Sequence, residues 1–407
     1  MTFHDRGAGI PVPRDGHAQP RGAQHGRPAA GSRRTTTFTG SFVWDVAGSD
    51  HVLATARMDL QVGMLAATRD LLAVTRTSQD FARRAYASAV LGSASALHNA
   101  AELWISETEE DPDAWLLWAR VAAIRALRAT DEGHPQAMDL VQIAVRACTR
   151  AAALWPEDPT PHVVLLSLDR LRYRAQVEAP GELGVRAPGP WDQFEQVAKL
   201  DLNHREAGHH LLAYFYPRHG GDAEALRTIA HWIAAACPQD SPLCLLPLYA
   251  ELEHGPDTQP AQPDEQHEHR IAVLKAVLSE IDAGTYPGDR QEVEHRREQF
   301  AKTLAQETTP GYQEAERRRS LTYLAESLAR QWFGKGHQPA YVPVRDLSVL
   351  AHALYAGGSL AWACTVLKHL SPHASTYPWS LFGPDPAEQL AQVCQECHLP
   401  LPRKRPG

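Results

Sequence analysis

The sequence predicts an all-α protein made of successive pairs of helices, and two features of the chain carry that prediction. Apolar residues recur at the 3.6-residue spacing of an α-helix almost everywhere after residue 50. Helix-start signals also follow one another along the chain, each with an Asp, Asn or Ser that can cap a helix and most with a Pro. These signals lie at 111–113, 157–159, 201–203 and 238–242.

The first 37 residues are predicted to form a disordered arm. Gly and Pro are frequent in residues 1–37, and large apolar side chains are almost absent. Such a segment cannot bury enough apolar surface to offset the conformational entropy that it loses on ordering. Six Arg against two Asp give the arm a formal charge of +4, so contact with an acidic partner is the alternative to the plain disordered terminus that we favour.

Residues 38–252 are predicted to form the first helical repeat domain. The domain opens with an aromatic segment, 38–44, which we expect to be extended and to pack on the first helices. The helix after Asp111 has two apolar faces, as a helix sandwiched between neighbours requires. The faces are Trp115, Trp118, Ala119 and Ala122, and Leu117, Val121 and Ile124. An apolar stripe predicts the next helix, which ends where Pro156 interrupts backbone hydrogen bonding.

Three further segments complete the domain organisation. Residues 253–270 contain three Pro and five acidic residues against one Arg, which predicts an acidic, Pro-rich linker. Residues 271–398 are predicted to form a C-terminal helical repeat region, and its last helix, at about 386–397, is expected to cap the stack. Residues 399–407 form a tail that contains Pro and Arg.

Two stretches of the chain resemble the tetratricopeptide repeat, whose two helices cross closely at small residues. One stretch matches at Ala351, Leu354, Gly358, Ala363, Leu367 and Leu370, and Pro372 follows it. The other matches at Ala213, Tyr216, Gly220, Ala225, Ile229 and Trp232. The resemblance covers about 80–240 and 342–375. It implies a right-handed α-solenoid of degenerate helix pairs with a concave groove, and it does not imply a particular ligand.

Composition and charge exclude several classes of protein. The formal net charge is −8, which argues against a nucleic-acid binder because such proteins present a basic surface. No apolar run reaches the roughly 18 residues that a membrane span requires. The N-terminal residues lack the apolar core of a secretory signal, and the six cysteines are scattered. We therefore expect a cytoplasmic protein with reduced thiols.

The sharpest chemical motif is Cys394-Gln395-Glu396-Cys397-His398, which has the spacing for covalent attachment of a c-type haem. Haem attachment requires export, and both cysteines also extend the apolar stripe of the last predicted helix. A zinc site would need a fourth ligand with suitable spacing. We therefore expect no cofactor and no metal, and we interpret the two cysteines as core residues.

The leading prediction is a non-catalytic scaffold that binds a partner polypeptide in the helical groove. The resemblance implies that the first helix of each pair lines the groove, with His209 and Ala213 at packing positions. The predicted binding residues are then His210 and Tyr214, with His162 as a weaker candidate. Two alternatives stay open: an enzyme or metabolite-binding protein with a dispersed site that includes Arg205, and a regulatory or sensor module. No catalytic residue is predicted.

Overall fold

The computed structural model describes residues 42–171, 188–254, 265–308, 312–336 and 341–399, all within one unit of the chain. In these ranges the chain forms seventeen α-helices and no strand, so the all-α prediction is confirmed. The arm predicted at 1–37 lies outside the described residues, as does nearly all of the predicted tail.

The helices follow one another closely along the chain. The first eight are α1 (His51–Gln61), α2 (Ala66–Thr77), α3 (Phe81–Ser95), α4 (Ala100–Glu107), α5 (Pro112–Asp131), α6 (Ala137–Leu154), α7 (Thr160–Leu168) and α8 (Trp191–Leu200). The next six are α9 (Arg205–Tyr214), α10 (Ala223–Ala236), α11 (Leu246–His254), α12 (Glu265–Asp282), α13 (Arg290–Glu307) and α14 (Tyr312–Ala329). The last three are α15 (Val344–Ala356), α16 (Leu360–Leu370) and α17 (Pro386–Glu396).

Acidic residues cap several of these helices, as their positions in the sequence predict. The Asp111 carboxylate accepts a hydrogen bond of 3.0 Å from the backbone N–H of Asp113. The Asp158 carboxylate accepts one of 2.9 Å from the N–H of Thr160. Each bond satisfies a donor that the first turn of a helix otherwise leaves unpaired. At the third predicted start the cap is one residue later than Asn203, because His204 accepts from the N–H of Ala207 and fills this role.

The hydrophobic core links distant parts of the chain. Sequential neighbours such as α5 and α6, or α15 and α16, pack against each other, but α3 also contacts α9, and α11 contacts both α9 and α15. One cluster of buried side chains joins α1 to α5, and another joins α8 to α11. A third joins α11 and α14 to α15, α16 and α17. Helices α9 and α11 therefore lie between the N-terminal and C-terminal helices.

Two predicted segments differ from expectation. The segment at 42–44 is extended at Val43, but it pairs with the C-terminal region: Val43 N donates to Pro372 O at 2.9 Å, and Ala374 N donates to Val43 O at 3.0 Å.

The predicted linker is too long, because α11 continues to His254 and α12 begins at Glu265.

None of the helices in the described ranges has both the length and the apolar character that crossing a bilayer requires.

Candidate functional site

A cavity of about 760 Å³ is bordered by α1, α3, α9, α11 and the start of α15. Its polar lining consists mainly of arginine, histidine and tyrosine side chains. The arginines are Arg57, Arg170, Arg205, Arg218 and Arg345. The histidines are His204, His209, His210 and His219, and the tyrosines are Tyr86, Tyr216, Tyr249 and Tyr377.

The carboxylates at the cavity are already engaged. Asp45 accepts a hydrogen bond of 2.9 Å from Arg57. Glu206 lies between Arg120, which donates to both of its oxygens at 2.6 Å, and His210, whose Nε2 is 3.1 Å from Oε1. Burial raises the pKa of Glu206, but the charges and hydrogen bonds of Arg120 and His210 together outweigh burial and lower that pKa. Glu206 is therefore an ionised structural group rather than a free general base.

One buried carboxylate connects three helices, and its partners Arg205 and Tyr249 line the cavity. Asp346 is fully buried in the first turn of α15, and it accepts hydrogen bonds of 2.6 Å from Arg205 Nε of α9 and from the Tyr249 hydroxyl of α11. Burial opposes ionisation, yet the adjacent Arg205 guanidinium lowers the pKa of the Asp346 carboxyl below its usual value. These hydrogen bonds hold the Arg205 and Tyr249 side chains in fixed positions at the wall of the cavity.

A histidine packs beside this ion pair. The His209 ring stands edge-on to Tyr249, with ring centroids 4.5 Å apart, and its Nε2 is 4.0 Å from an Asp346 oxygen. Burial lowers the pKa of His209 well below its usual value, and the charge of Arg205 lowers it further. His209 is therefore neutral at physiological pH, and the positive charge around it comes from arginine.

Arg345 lies over two tyrosine rings that stack on each other. Its guanidinium carbon is 4.1 Å from the Tyr377 ring centroid and 5.7 Å from that of Tyr249. The two rings are 5.9 Å apart and nearly parallel. Among the described residues, no carboxylate is within 4.0 Å of the Arg345 nitrogens, so this exposed guanidinium has donors to offer a ligand.

A second basic group lies on the turn after α9. The His219 Nδ1 is 2.8 Å from the carbonyl oxygen of Ala213, and its Nε2 is 3.3 Å from Arg170 Nη1. If the ring donates through Nδ1, then Nε2 accepts from Arg170. Arg218 lies 4.7 Å above the Tyr216 ring and pairs with Glu253 at 2.7 Å, yet 54% of its side chain is exposed. The cavity therefore carries more cationic groups than its carboxylates balance.

The structure separates the three predicted binding residues. His210 lines the cavity, as does His209, which was expected to be a packing residue. Tyr214 is only 5% exposed and packs with its ring centroid 5.1 Å from that of Phe215, because α9 ends there and the chain turns into the core. His162 lies between α7 and α8, where its Nδ1 is 3.3 Å from the amide of Gln193. Tyr214 and His162 thus do not share a surface with His210.

The paired cysteines of the haem-like motif lie in the core. Cys394 and Cys397 are 5% and 8% exposed and belong to the cluster that joins α11 and α14 to α15, α16 and α17. His398, the last residue of the motif, is exposed. In the part of the chain that the structure describes, no group of three or more His, Cys, Asp or Glu residues could hold a metal ion.

The burial of these cysteines gives a direct test of their packing role. Replacing Cys394 and Cys397 together by Ala should lower the free energy of unfolding by about 1–3 kcal/mol, because each truncation leaves a small void in the core. Urea denaturation would measure this loss, with the exposed Ser380 replaced by Ala as the control. A double variant as stable as that control would show that the two thiols do not support the core.

Sequence reasoning missed most of the cavity residues, among them Arg345, Arg218, Arg170 and Tyr377. These four residues lie on separate segments, and none of them belongs to a recognisable motif. The one available signal was Arg345-Asp346, a charged pair at the start of an otherwise apolar helix. No protein-family model, no curated protein and no solved structure matches this chain.

Proposed function

We propose that this chain is a binding protein whose cavity holds an anionic ligand without covalent chemistry. The observation that carries the proposal is the Arg345 guanidinium, which is exposed to the cavity, stacked on tyrosine and without a carboxylate partner among the described residues. Arg170 supports the same conclusion, since its Nη1 contacts the ring of His219 rather than a carboxylate. A guanidinium presents several N–H donors in one plane, which suits a carboxylate or a phosphate.

The size and lining of the cavity favour a small ligand or the end of a peptide. A volume of 760 Å³ lies within the range of about 300–1,000 Å³ that is typical of ligand sites. Tyr216, Tyr249 and Tyr377 offer ring surfaces beside the arginines, so a ligand with both an anionic group and a flat part would use the whole site.

Binding is better supported than catalysis because the acid–base groups are committed to structure. Glu206 and Asp346 are held by Arg120 and Arg205, and His209 has a strongly lowered pKa. A general base must be able to accept a proton from a substrate near the working pH. These groups instead serve to place the arginines.

A partner polypeptide is the second candidate ligand, and the exposed side chain of Arg218 favours it because it gives the cavity a basic margin open to solvent. A C-terminal carboxylate would offer Arg345 the same chemistry as a small acid. Successive packed pairs such as α5/α6 and α15/α16 support the further proposal of a tetratricopeptide-like, right-handed solenoid. Whether the ligand is a small acid or a polypeptide, the site recognises its anionic group.

Matched pairs of probes test the charge requirement. Benzoate and benzamide differ mainly in charge, as do adenosine monophosphate and adenosine, so calorimetry can compare them on the full chain. We expect the anionic member of at least one pair to bind about tenfold or more tightly than its neutral partner. Replacing Arg345 by Met should weaken the binding of the anionic probe about 10- to 100-fold, because the ligand would lose one or two hydrogen bonds to a charged group.

Arg297 provides the matched control, because its guanidinium is exposed on α13 and lies outside the residues that line the cavity. The Arg297→Met variant should bind the anionic probe as the parent chain does. A pentapeptide with a free or an amidated C-terminus extends the comparison to a polypeptide ligand. Equal affinity for charged and neutral probes, or an unaffected Arg345→Met variant, would contradict the proposed function.

A further inference from the structure

Two cysteines meet on the connection between α10 and α11, away from the lining of the large cavity. Cys237 caps the C-terminal end of α10, and Cys244 lies in the short helical turn Pro242–Leu245 that leads into α11. Their sulfur atoms are 3.3 Å apart. A disulfide bond is about 2.05 Å long, so the two sulfurs need to approach by only about 1.3 Å to become bonded. At this distance the pair (the thiol pair) can form a disulfide bond with little movement of either side chain.

The two thiols differ in access and in acidity. Cys237 is half-buried, whereas Cys244 is 6% exposed within the core. A hydrogen bond from the Cys244 thiol lowers the pKa of Cys237, and a hydrogen bond from Ser241 adds to this effect. The same contact with Cys237, together with burial, raises the pKa of Cys244. The accessible sulfur is thus the better nucleophile, and the buried one is positioned to react with it afterwards.

We propose that the thiol pair is a reversible redox site that takes up oxidising equivalents from low-molecular-weight disulfides. The Cys237 thiolate attacks one sulfur of a disulfide RSSR, forming a mixed disulfide and releasing RS⁻, which gains a proton from solvent. Cys244 then loses its proton and attacks the Cys237 sulfur, which releases the second RSH. The chain gives up two electrons and two protons and gains one Cys237–Cys244 bond, and RSSR becomes two RSH.

The remaining cysteines are less suited to this reaction. Burial raises the pKa of Cys148 to about 12 and that of Cys394 to about 11, so their thiolates are scarce at neutral pH. Cys397 is also buried, and burial together with a hydrogen bond to the Cys364 thiol raises its pKa to about 12. Cys364 is half-buried and its sulfur lies 3.3 Å from the carbonyl oxygen of Cys397. Cys364 is therefore the one serious competitor, and it provides the control.

Oxidised glutathione is a suitable probe for the native, reduced, full-length chain. After a short exposure and acid quenching, peptide mass spectrometry should find Cys237 and Cys244 joined, with the loss of two hydrogens and no adduct. The Cys244→Ala variant should instead retain one glutathionyl group on Cys237, since nothing can resolve the mixed disulfide. The Cys364→Ser variant should behave as the parent chain does, and dithiothreitol should restore both thiols.

The parent chain tests the proposal even if Cys244→Ala does not fold, because the joined peptide is observed without any substitution. The proposal fails if Cys237 is not modified faster than Cys364. It also fails if a glutathionyl adduct persists on Cys237 in the parent chain, because Cys244 would then not be able to reach it. The ligand cavity plays no part in this reaction, so neither result bears on the proposed function.

Discussion

Replacing Arg84 by Met should destabilise the protein by about 3–5 kcal/mol, the cost of leaving buried carboxylates without their partner. Arg84 has a side chain that is 0% exposed, and it donates to Asp113 at 2.7 Å and to Asp158 at 2.8 Å. It also donates to the carbonyl oxygen of Leu72 at 3.0 Å. Without the guanidinium, Asp158 would lose its ion-pair partner, and Asp113 would keep only the longer contact of 3.5 Å with Arg76. Urea denaturation of both proteins would measure the difference.

Arg83 is the control for this experiment, because it precedes Arg84 on the same helix and also forms an ion pair. Its partner is Asp50, at 2.9 Å, but 26% of the Arg83 side chain is exposed. Water screens such a pair, so Arg83→Met should cost about 1 kcal/mol or less. Similar losses for the two variants would mean that the buried network contributes no more than a surface ion pair.

Replacing Asp346 by Asn should lower the free energy of unfolding by about 3 kcal/mol or more at neutral pH. The substitution preserves the shape of the side chain but removes the charge that the Arg205 guanidinium faces in the interior. One of the oxygens that accept from Arg205 and the Tyr249 hydroxyl becomes an N–H₂ group, which cannot accept. Asp282→Asn is the matched control, since Asp282 pairs with Arg297 at an exposed position and the substitution should cost much less stability than Asp346→Asn.

The loss caused by Asp346→Asn should also depend on pH. The pKa of Asp346 is lower in the folded chain than in the unfolded chain, so its contribution to stability is complete above the unfolded value, near 3.9. As the pH falls below that value and through the folded pKa, the carboxylate is protonated and the contribution disappears. The difference between parent and variant should therefore shrink in acid. A difference that stays constant from neutral pH to pH 3 would show that ionisation of Asp346 does not stabilise the fold.

Much of the helical structure could be predicted because its causes are local. A capping carboxylate such as Asp111, or a Pro such as Pro156, acts within a few residues, and the apolar period of each helix is visible in one short window. His210 could be assigned to the candidate site for the same reason, since its position follows from the face of one helix. These features do not depend on which helix packs against which.

The remaining features depend on contacts between distant residues. Arg83 and Arg84 are adjacent and chemically identical, yet Arg83 is partly exposed and Arg84 is fully buried. The difference arises because Asp113 and Asp158, which are distant in the sequence, pair with Arg84 in the core. Arg205 and Asp346 are 141 residues apart, so no window of the sequence contains both. The prediction that Tyr214 lies on a binding surface was wrong for the same reason: distant residues pack around Phe215 and cover the end of α9.

The pairing of Val43 with residues 372–374 limits how this architecture can grow. In a solenoid whose first and last units lie apart, a pair of helices can be gained or lost without separating any contact between the two ends. Here a backbone segment ahead of α1 must reach the connection after α16. An extra helix pair between Val43 and residues 372–374 would move these two segments apart. The backbone pairing between them therefore limits the number of helices that can lie between them. Variation in length would then be tolerated at loops and not by duplication of units.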